Sequence, residues 1–166
     1  VAILCSLSPT PSILMVQRAE RPDDPWSGDM AFPGGRQELS DRSHEATALR
    51  ELHEEVGIHI DTLPDLHLNT VWTKSHNSFR PMAVHPFVFE VKKRTPFHLS
   101  HEATDAVWIP LSVFKTESRQ YFQWRVRGFS FKMPCFHYRK YRIWGLSLKM
   151  IENLLATDYF ASLSGK

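Results

Sequence analysis

The sequence predicts an α+β fold, a mixed β-sheet with helices packed against it. Three observations carry this. Short apolar runs of strand length recur along the chain, two stretches space their apolar residues at the helical period, and the order is strands, helix, strands, helix. With 166 residues the chain has the length of one domain and can bury a core without a disulfide or metal staple. We therefore expect residues 1–166 to form a single domain. Hydrophobic residues are 42% and charged residues 23% of the total, which excludes a disordered chain, a collagen-like repeat and a coiled coil.

Residues 1–7 and 12–17 are apolar and flank Ser8-Pro9-Thr10-Pro11-Ser12, so they read as two strands joined by a turn. The loop over 20–29 follows from its prolines, aspartates and glycine. Phe32-Pro33-Gly34-Gly35 reads as a tight turn. A helix is expected over 42–55, stopped by Gly57, a residue that tolerates the left-handed conformation after a helix end. Residues 68–72 and 83–91 read as strands, as does 106–109, which Pro110 ends. Residues 121–126 and 129–132 alternate around Arg127-Gly128, the pattern of a hairpin. Over 142–157, Ile143, Leu146, Leu148, Ile151, Leu154 and Leu155 mark an amphipathic helix.

The net charge is only +2, so bulk electrostatics give no case for nucleic acid. The charge is unevenly spread: residues 1–83 carry a net −5 and residues 84–166 a net +7. Cys5 and Cys135 sit among apolar or aromatic neighbours outside any CxxC, so both read as buried free thiols and imply a reducing compartment. No apolar run approaches the roughly 18 residues of a membrane span. Residues 1–5 lack the basic residues of a signal peptide. The expected location is cytoplasmic.

The informative segment runs from Gly34 to Ile58. On a helix, Glu51, Glu54 and Glu55 share an arc of about 100°, while Leu49, Leu52 and Val56 occupy a separate apolar arc suited to packing on the sheet. Carboxylates one turn apart repel by roughly 0.2–0.5 kcal/mol per pair. A hard divalent cation turns that penalty into binding, and Mg²⁺ commonly bridges carboxylates to substrate phosphates. Arg50, one turn before Glu54, is placed to hold it by hydrogen bonds. Asp41 or Ser43 is suited to cap the helix.

The segment resembles the Nudix box, Gly-x5-Glu-x7-Arg-Glu-U-x-Glu-Glu-x-Gly-U, where U is bulky and apolar. Arg50, Glu51, Leu52, Glu54, Glu55, Gly57 and Ile58 match its second half. In the first half Asp41 stands where the box has Glu, and one extra residue separates it from Arg50. Arg18-Ala19 and the Ser27–Gly35 stretch resemble the upstream signature of the coenzyme A pyrophosphatase branch, as Ile143-Trp144-Gly145-Leu146-Ser147 resembles its C-terminal helix start. Pro86-Phe87-Val88 and Trp108-Ile109-Pro110-Leu111 are similar to family strands. Asp24 and Trp26 stand where that branch has Arg and His.

The resemblance implies a Nudix fold, an α/β/α sandwich with a mixed β-sheet and the Nudix loop-helix-loop. It implies Mg²⁺- or Mn²⁺-dependent hydrolysis of a diphosphate linkage in a nucleoside diphosphate derivative, with coenzyme A or acyl-coenzyme A as first choice. Arg50, Glu51, Glu54, Glu55 and Glu102 are the expected catalytic set. Gly34, through its carbonyl, and Glu51, Glu54 and Glu55 are the expected metal ligands, and Arg18, Phe32 and Arg36 the substrate contacts. The alternatives are a hydrolase of nucleotide sugars, dinucleotides or nucleoside triphosphates, and a non-catalytic Nudix-fold nucleotide sensor. The expected partner is a small nucleotide-type substrate, not nucleic acid or membrane, with a homodimer left open. Asp24 is expected to repel a 3′-phosphate, so that dephospho-coenzyme A is cleaved comparably well or better.

Other residues read more plainly. Phe122, Trp124, Phe129 and Phe131 are suited to stack on a nucleobase, but alternating aromatics on a hairpin are more often core or packing surface. Arg139, Lys140 and Arg142 read as a solvated basic face, and His44 as an exposed residue at the helix start. The histidines lack ligand spacing for zinc.

Overall fold

The structure is a computed structural model; it describes residues 1–22, 24, 26–74, 80–114, 116–126 and 128–164. The chain begins with β1 (Ala2–Ser8) and β2 (Ser12–Arg18), then β3 (Met30–Ala31) and α1 (His44–Val56). There follow β4 (Leu66–His67), β5 (Val71–Lys74), β6 (Pro81–Val84), β7 (Phe87–Lys93) and β8 (Ala103–Pro110). The last elements are β9 (Gln120–Val126), β10 (Phe129–Tyr138), β11 (Tyr141–Trp144), α2 (Gly145–Leu155) and α3 (Asp158–Ser164).

The main sheet has six strands and is mixed: β1 pairs antiparallel with β2 and parallel with β7, and β4 lies beyond β7. One edge of β2 carries β8, and the other carries β1 at Ser12–Ile13 and β3 at Val16–Gln17. β1 and β2 are buried on both faces, which explains their unbroken apolar runs. Ala2, Leu4, Leu14 and Val16 face Ala48, Leu52 and Val56 of α1. Ile3, Cys5, Ile13 and Met15 share the second core layer with Leu148, Ile151 and Leu154 of α2 and with Phe136 and Ile143. Each such fully buried side chain contributes about 1.5–3 kcal/mol. Both cysteines are free and buried, as the sequence suggests. Among the described residues, no helix is long and apolar enough to cross a membrane.

Several expectations change. The strand expected at 83–91 divides between two sheets, because β7 joins the main sheet while β6 pairs with β5 alone, and the strand expected at 68–72 starts only at Val71, as β5. The break falls at His85-Pro86, where Pro86 has no N–H for a ladder and its carbonyl accepts from Leu68 N–H at 3.1 Å. The helix expected from 142 begins at Gly145 instead. Residues 141–144 pair with β10, so Ile143 reaches the core from a strand. The hairpin at 121–132 is present as β9 and β10, with Arg127 outside the described residues. Its aromatics are not core: Phe129 is 69% exposed and Phe131 47%. Phe32–Gly35 is an open segment with a bend at Pro33 rather than a tight turn.

Candidate active site

α1 is bounded by Ser43, whose side chain accepts from Ala46 N–H, and by Gly57, whose φ of 69° lets the chain leave the helix. Ser43 is thus the cap, and Asp41 has another partner. Arg50 reaches back from the helix and grips Asp41 with two prongs, Nε to Oδ1 and Nη2 to Oδ2, both at 3.0 Å. Asp41 also accepts from Glu38 N–H and Thr47 Oγ1, each at 2.9 Å. These donors, the guanidinium first, hold its carboxyl well below the usual carboxylate range. The extra residue in the loop therefore leaves Asp41 in reach of Arg50, and the loop is tied to the helix further by Arg50 Nη2 donating to the Arg36 carbonyl at 3.1 Å.

The three helix glutamates do not share one environment. Arg50 Nη1 donates to Glu51 at 3.0 Å and to Glu54 at 2.8 Å, and Glu54 stays about half exposed. Glu55 turns inward, is 9% exposed, and accepts from Gly34 N–H at 3.0 Å. The reason for Gly35 is close approach: a Cβ there would collide with the Glu51 carboxylate, and its φ is not positive. Burial pushes the Glu55 carboxyl up to about 7, and Glu51 and Glu102 push the same way against Gly34 N–H and Arg18. Glu51 is also raised, first by burial.

A second loop brings Glu102 to this place. His98 N–H donates to Val56 O and Ser100 N–H to Glu55 O, both at 2.9 Å, so the loop docks on the end of α1. Ala19 N–H donates to Glu102 O at 2.9 Å, which ties the loop to the chain after β2. Arg18, Arg21, Phe32, Gly34, Glu55 and Glu102 line the resulting small pocket. Arg21 pairs with Glu102 at 3.4 Å. Arg18 is held by Asp24, Nη2 to Oδ2 at 2.5 Å, so Asp24 is turned to Arg18.

Of the residues singled out in the sequence, the pocket therefore brings together Arg18, Phe32, Gly34, Glu55 and Glu102. Arg50, Glu51 and Glu54 form the network beside it, and Arg36 meets that network through its carbonyl. His44 stacks on His85, with centroids 4.4 Å apart. Arg21 and the Asp41 grip were missed. The spacing Gly35-x5-Asp41 carried the signal for Asp41, but nothing in the sequence marks Arg21.

The donor chemistry fits a divalent cation. Buried Glu55, covered Glu51 and nearby Glu102 repel one another, and oxygen-only ligands suit Mg²⁺ or Mn²⁺. Among the described residues no three such side chains converge into a ready cage, since Arg50 draws Glu51 and Glu54 to itself.

The NUDIX domain model matches residues 1–127. The chain belongs to the Nudix hydrolase family. It is 30% identical over 156 residues to the human mitochondrial coenzyme A diphosphatase NUDT8, covering 90% of this chain and 64% of that protein, so the chain spans under two thirds of that relative's length. It is 31% identical to the uncharacterized Nudix hydrolase NudL of Enterobacter sp., covering 87% of this chain and 73% of that one. Among solved structures, a binary complex of the C. elegans Ap4A hydrolase is similar, with a TM-score of 0.55 and 21% identity over 67% of this chain and 77% of that one; it supports the Nudix fold alone.

Proposed function

We propose that this Nudix chain hydrolyses the diphosphate linkage of a nucleoside diphosphate derivative, with coenzyme A or acyl-coenzyme A as its substrate, giving phosphopantetheine (acylated in the second case) and adenosine 3′,5′-bisphosphate. The observation that carries the reaction class is Glu55, a buried carboxylate fixed by Gly34 N–H and facing Glu102 and Arg18 across a small pocket. The similarity to a coenzyme A diphosphatase supports the substrate. We read residues 1–166 as one unit: the family model ends at 127, but Phe136, Ile143 and Ile151 share a core cluster with Ile3 and Ile13.

In this reading Glu51, Glu54, Glu55 and the Gly34 carbonyl would hold Mg²⁺ or Mn²⁺, which would supply neutralisation of diphosphate charge and a lower pKa for water. Arg50 positions the Glu51 and Glu54 carboxylates and, through Asp41 and the Arg36 carbonyl, locks the glycine loop to the helix. Arg18 faces the diphosphate, and Phe32 forms the pocket wall. Glu102, or a helix glutamate, takes the proton of the water as its oxygen attacks phosphorus and the bridging P–O bond breaks. Substitution at phosphorus needs little covalent help, so positioning and electrostatics carry the rate.

The test is product analysis with coenzyme A under Mg²⁺ and under EDTA, for the native chain and Glu55→Gln. Glu55→Gln keeps the shape and removes the charge, so activity falls at least ~10²-fold. Hydrolysis that survives both the substitution and EDTA overturns the reading.

A further inference from the structure

From Gln120 to Trp144 the chain holds six Lys/Arg and nine aromatic residues, and no Asp or Glu. Strand register sorts them onto two faces. Phe131 pairs with Trp124, Met133 with Phe122, Cys135 with Trp144 and His137 with Arg142, so these share one face. Their rings touch in sequence: Phe131 to Trp124 at 6.2 Å, Trp124 to Trp144 at 5.7 Å, and Trp144 to Phe122 at 5.0 Å between centroids. The Arg142 guanidinium lies 4.0 Å from the Phe122 centroid and ends the stripe.

There the stripe opens into a cavity of about 300 Å³ lined by His137, Lys140, Arg142, Gln17, Gly28 and Asp29. Lys140 is paired with Asp105 at 2.9 Å, and Asp29 accepts from the Trp144 indole N–H at 2.8 Å while its charge acts on Arg142 through space. Among the described residues no carboxylate pairs with Arg142 within ion-pair distance; its close contacts are rings. A guanidinium held on aromatic faces keeps its in-plane N–H donors for an outside acceptor.

The cavity and the Glu55 pocket back onto the same two-strand ladder. Gln17 and Met30 face the cavity, while Val16 and Ala31 face the pocket. At the ladder's end, Gly28 of one and Arg18 of the other are joined by a backbone hydrogen bond of 3.2 Å. A ligand reaching both passes round this end.

We propose that this cavity is a nucleotide phosphomonoester subsite, with Arg142 and His137 on the phosphate and the Trp144–Trp124 stripe against the base. It rests on the hydrolase reading above and deepens it: the group recognised is a phosphate outside the scissile diphosphate, as on the ribose of coenzyme A. A planar base on the rings and an anion on a fork-shaped cation are the two halves of such a ligand. The subsite also revises the part expected of Asp24, which is occupied by Arg18, and gives the 3′-phosphorylated substrate the advantage.

Calorimetry with adenosine 3′,5′-bisphosphate in EDTA tests binding apart from turnover. Arg142→Gln weakens it about tenfold or more, the effect of losing a charge-assisted contact. Arg125→Gln, whose side chain is on the opposite face, leaves it unchanged. In turnover, the kcat/KM ratio of coenzyme A over dephospho-coenzyme A drops about tenfold in Arg142→Gln, through KM. Equal binding by Arg142→Gln and the native chain, or equal affinity for the bisphosphate and for adenosine, overturns the subsite. Arg142-dependent binding in a chain that cleaves neither compound overturns the hydrolase reading and leaves the subsite standing.

Discussion

The helix α1 and the β9–β11 sheet handle charge in opposite ways. At α1 one guanidinium answers three carboxylates, Asp41, Glu51 and Glu54, at 2.8–3.0 Å. In the sheet three cations rest on rings, Lys132 over Tyr121 at 4.7 Å, Arg139 over Tyr138 at 5.2 Å and Arg142 over Phe122 at 4.0 Å. The first arrangement fixes geometry, since moving Arg50 would leave covered carboxylates unpaired. The second fixes little and leaves hydrogen-bonding capacity for a ligand. A site that must place reacting atoms is built from the first kind, and a surface that must hold a substrate's far end from the second.

The sharpest break in this contrast is Arg50→Ala. Its side chain is 19% exposed, Asp41's 5% and Glu51's 13%, so the truncation leaves two covered carboxylates without their cation. We expect a loss of about 3 kcal/mol in urea unfolding. Arg50→Lys restores the charge but not the two-pronged grip on Asp41, so it recovers part of the stability and still lowers activity. A native-like unfolding midpoint for Arg50→Ala would make the network a surface feature.

What could be read from the sequence follows the same division. Arg50, Glu51, Glu54 and Glu55 lie within one helix turn and a half, so helical geometry alone relates them. Their different fates depend on partners far along the chain, Gly34 for Glu55 and Ser100 for the loop that brings Glu102. No local pattern encodes such contacts. β11 was hidden because Ile143 fits the helical period of Leu146 and Ile151 as well as it fits a strand. The exposure of Phe129 and Phe131 was hidden because alternation shows that two faces differ, not that either is covered.

A middle-sized effect tests the acid side by pH. The Asp41 carboxyl is held below its ordinary value in the folded chain, chiefly by Arg50. A depressed carboxyl contributes stability above its unfolded pKa of about 3.9, and that contribution is lost as pH falls through the folded value. Asp41→Asn is therefore clearly less stable than the native chain at pH 7. The gap narrows as the pH drops below about 4, because the native chain alone loses the contribution. Urea midpoints of both proteins at neutral and acid pH measure this, and a gap that is constant with pH would show that shape, not charge, is what Asp41 supplies.

The smallest effect belongs to the sheet. Lys132 lies over Tyr121, which is 54% exposed, on the face away from Arg142. An exposed cation over a ring contributes about 0.5 kcal/mol, and Lys132→Ala keeps the strand's backbone pairing. The unfolding midpoint should hardly move, unlike that of Arg50→Ala, and affinity for adenosine 3′,5′-bisphosphate should stay native because Lys132 does not line the cavity. A loss near that of Arg50→Ala would mean the sheet's cations brace the fold as the helix's cation does. In that case Arg142 would be spent on the protein's own rings, and the contrast between a fixed acidic site and an open basic one would collapse.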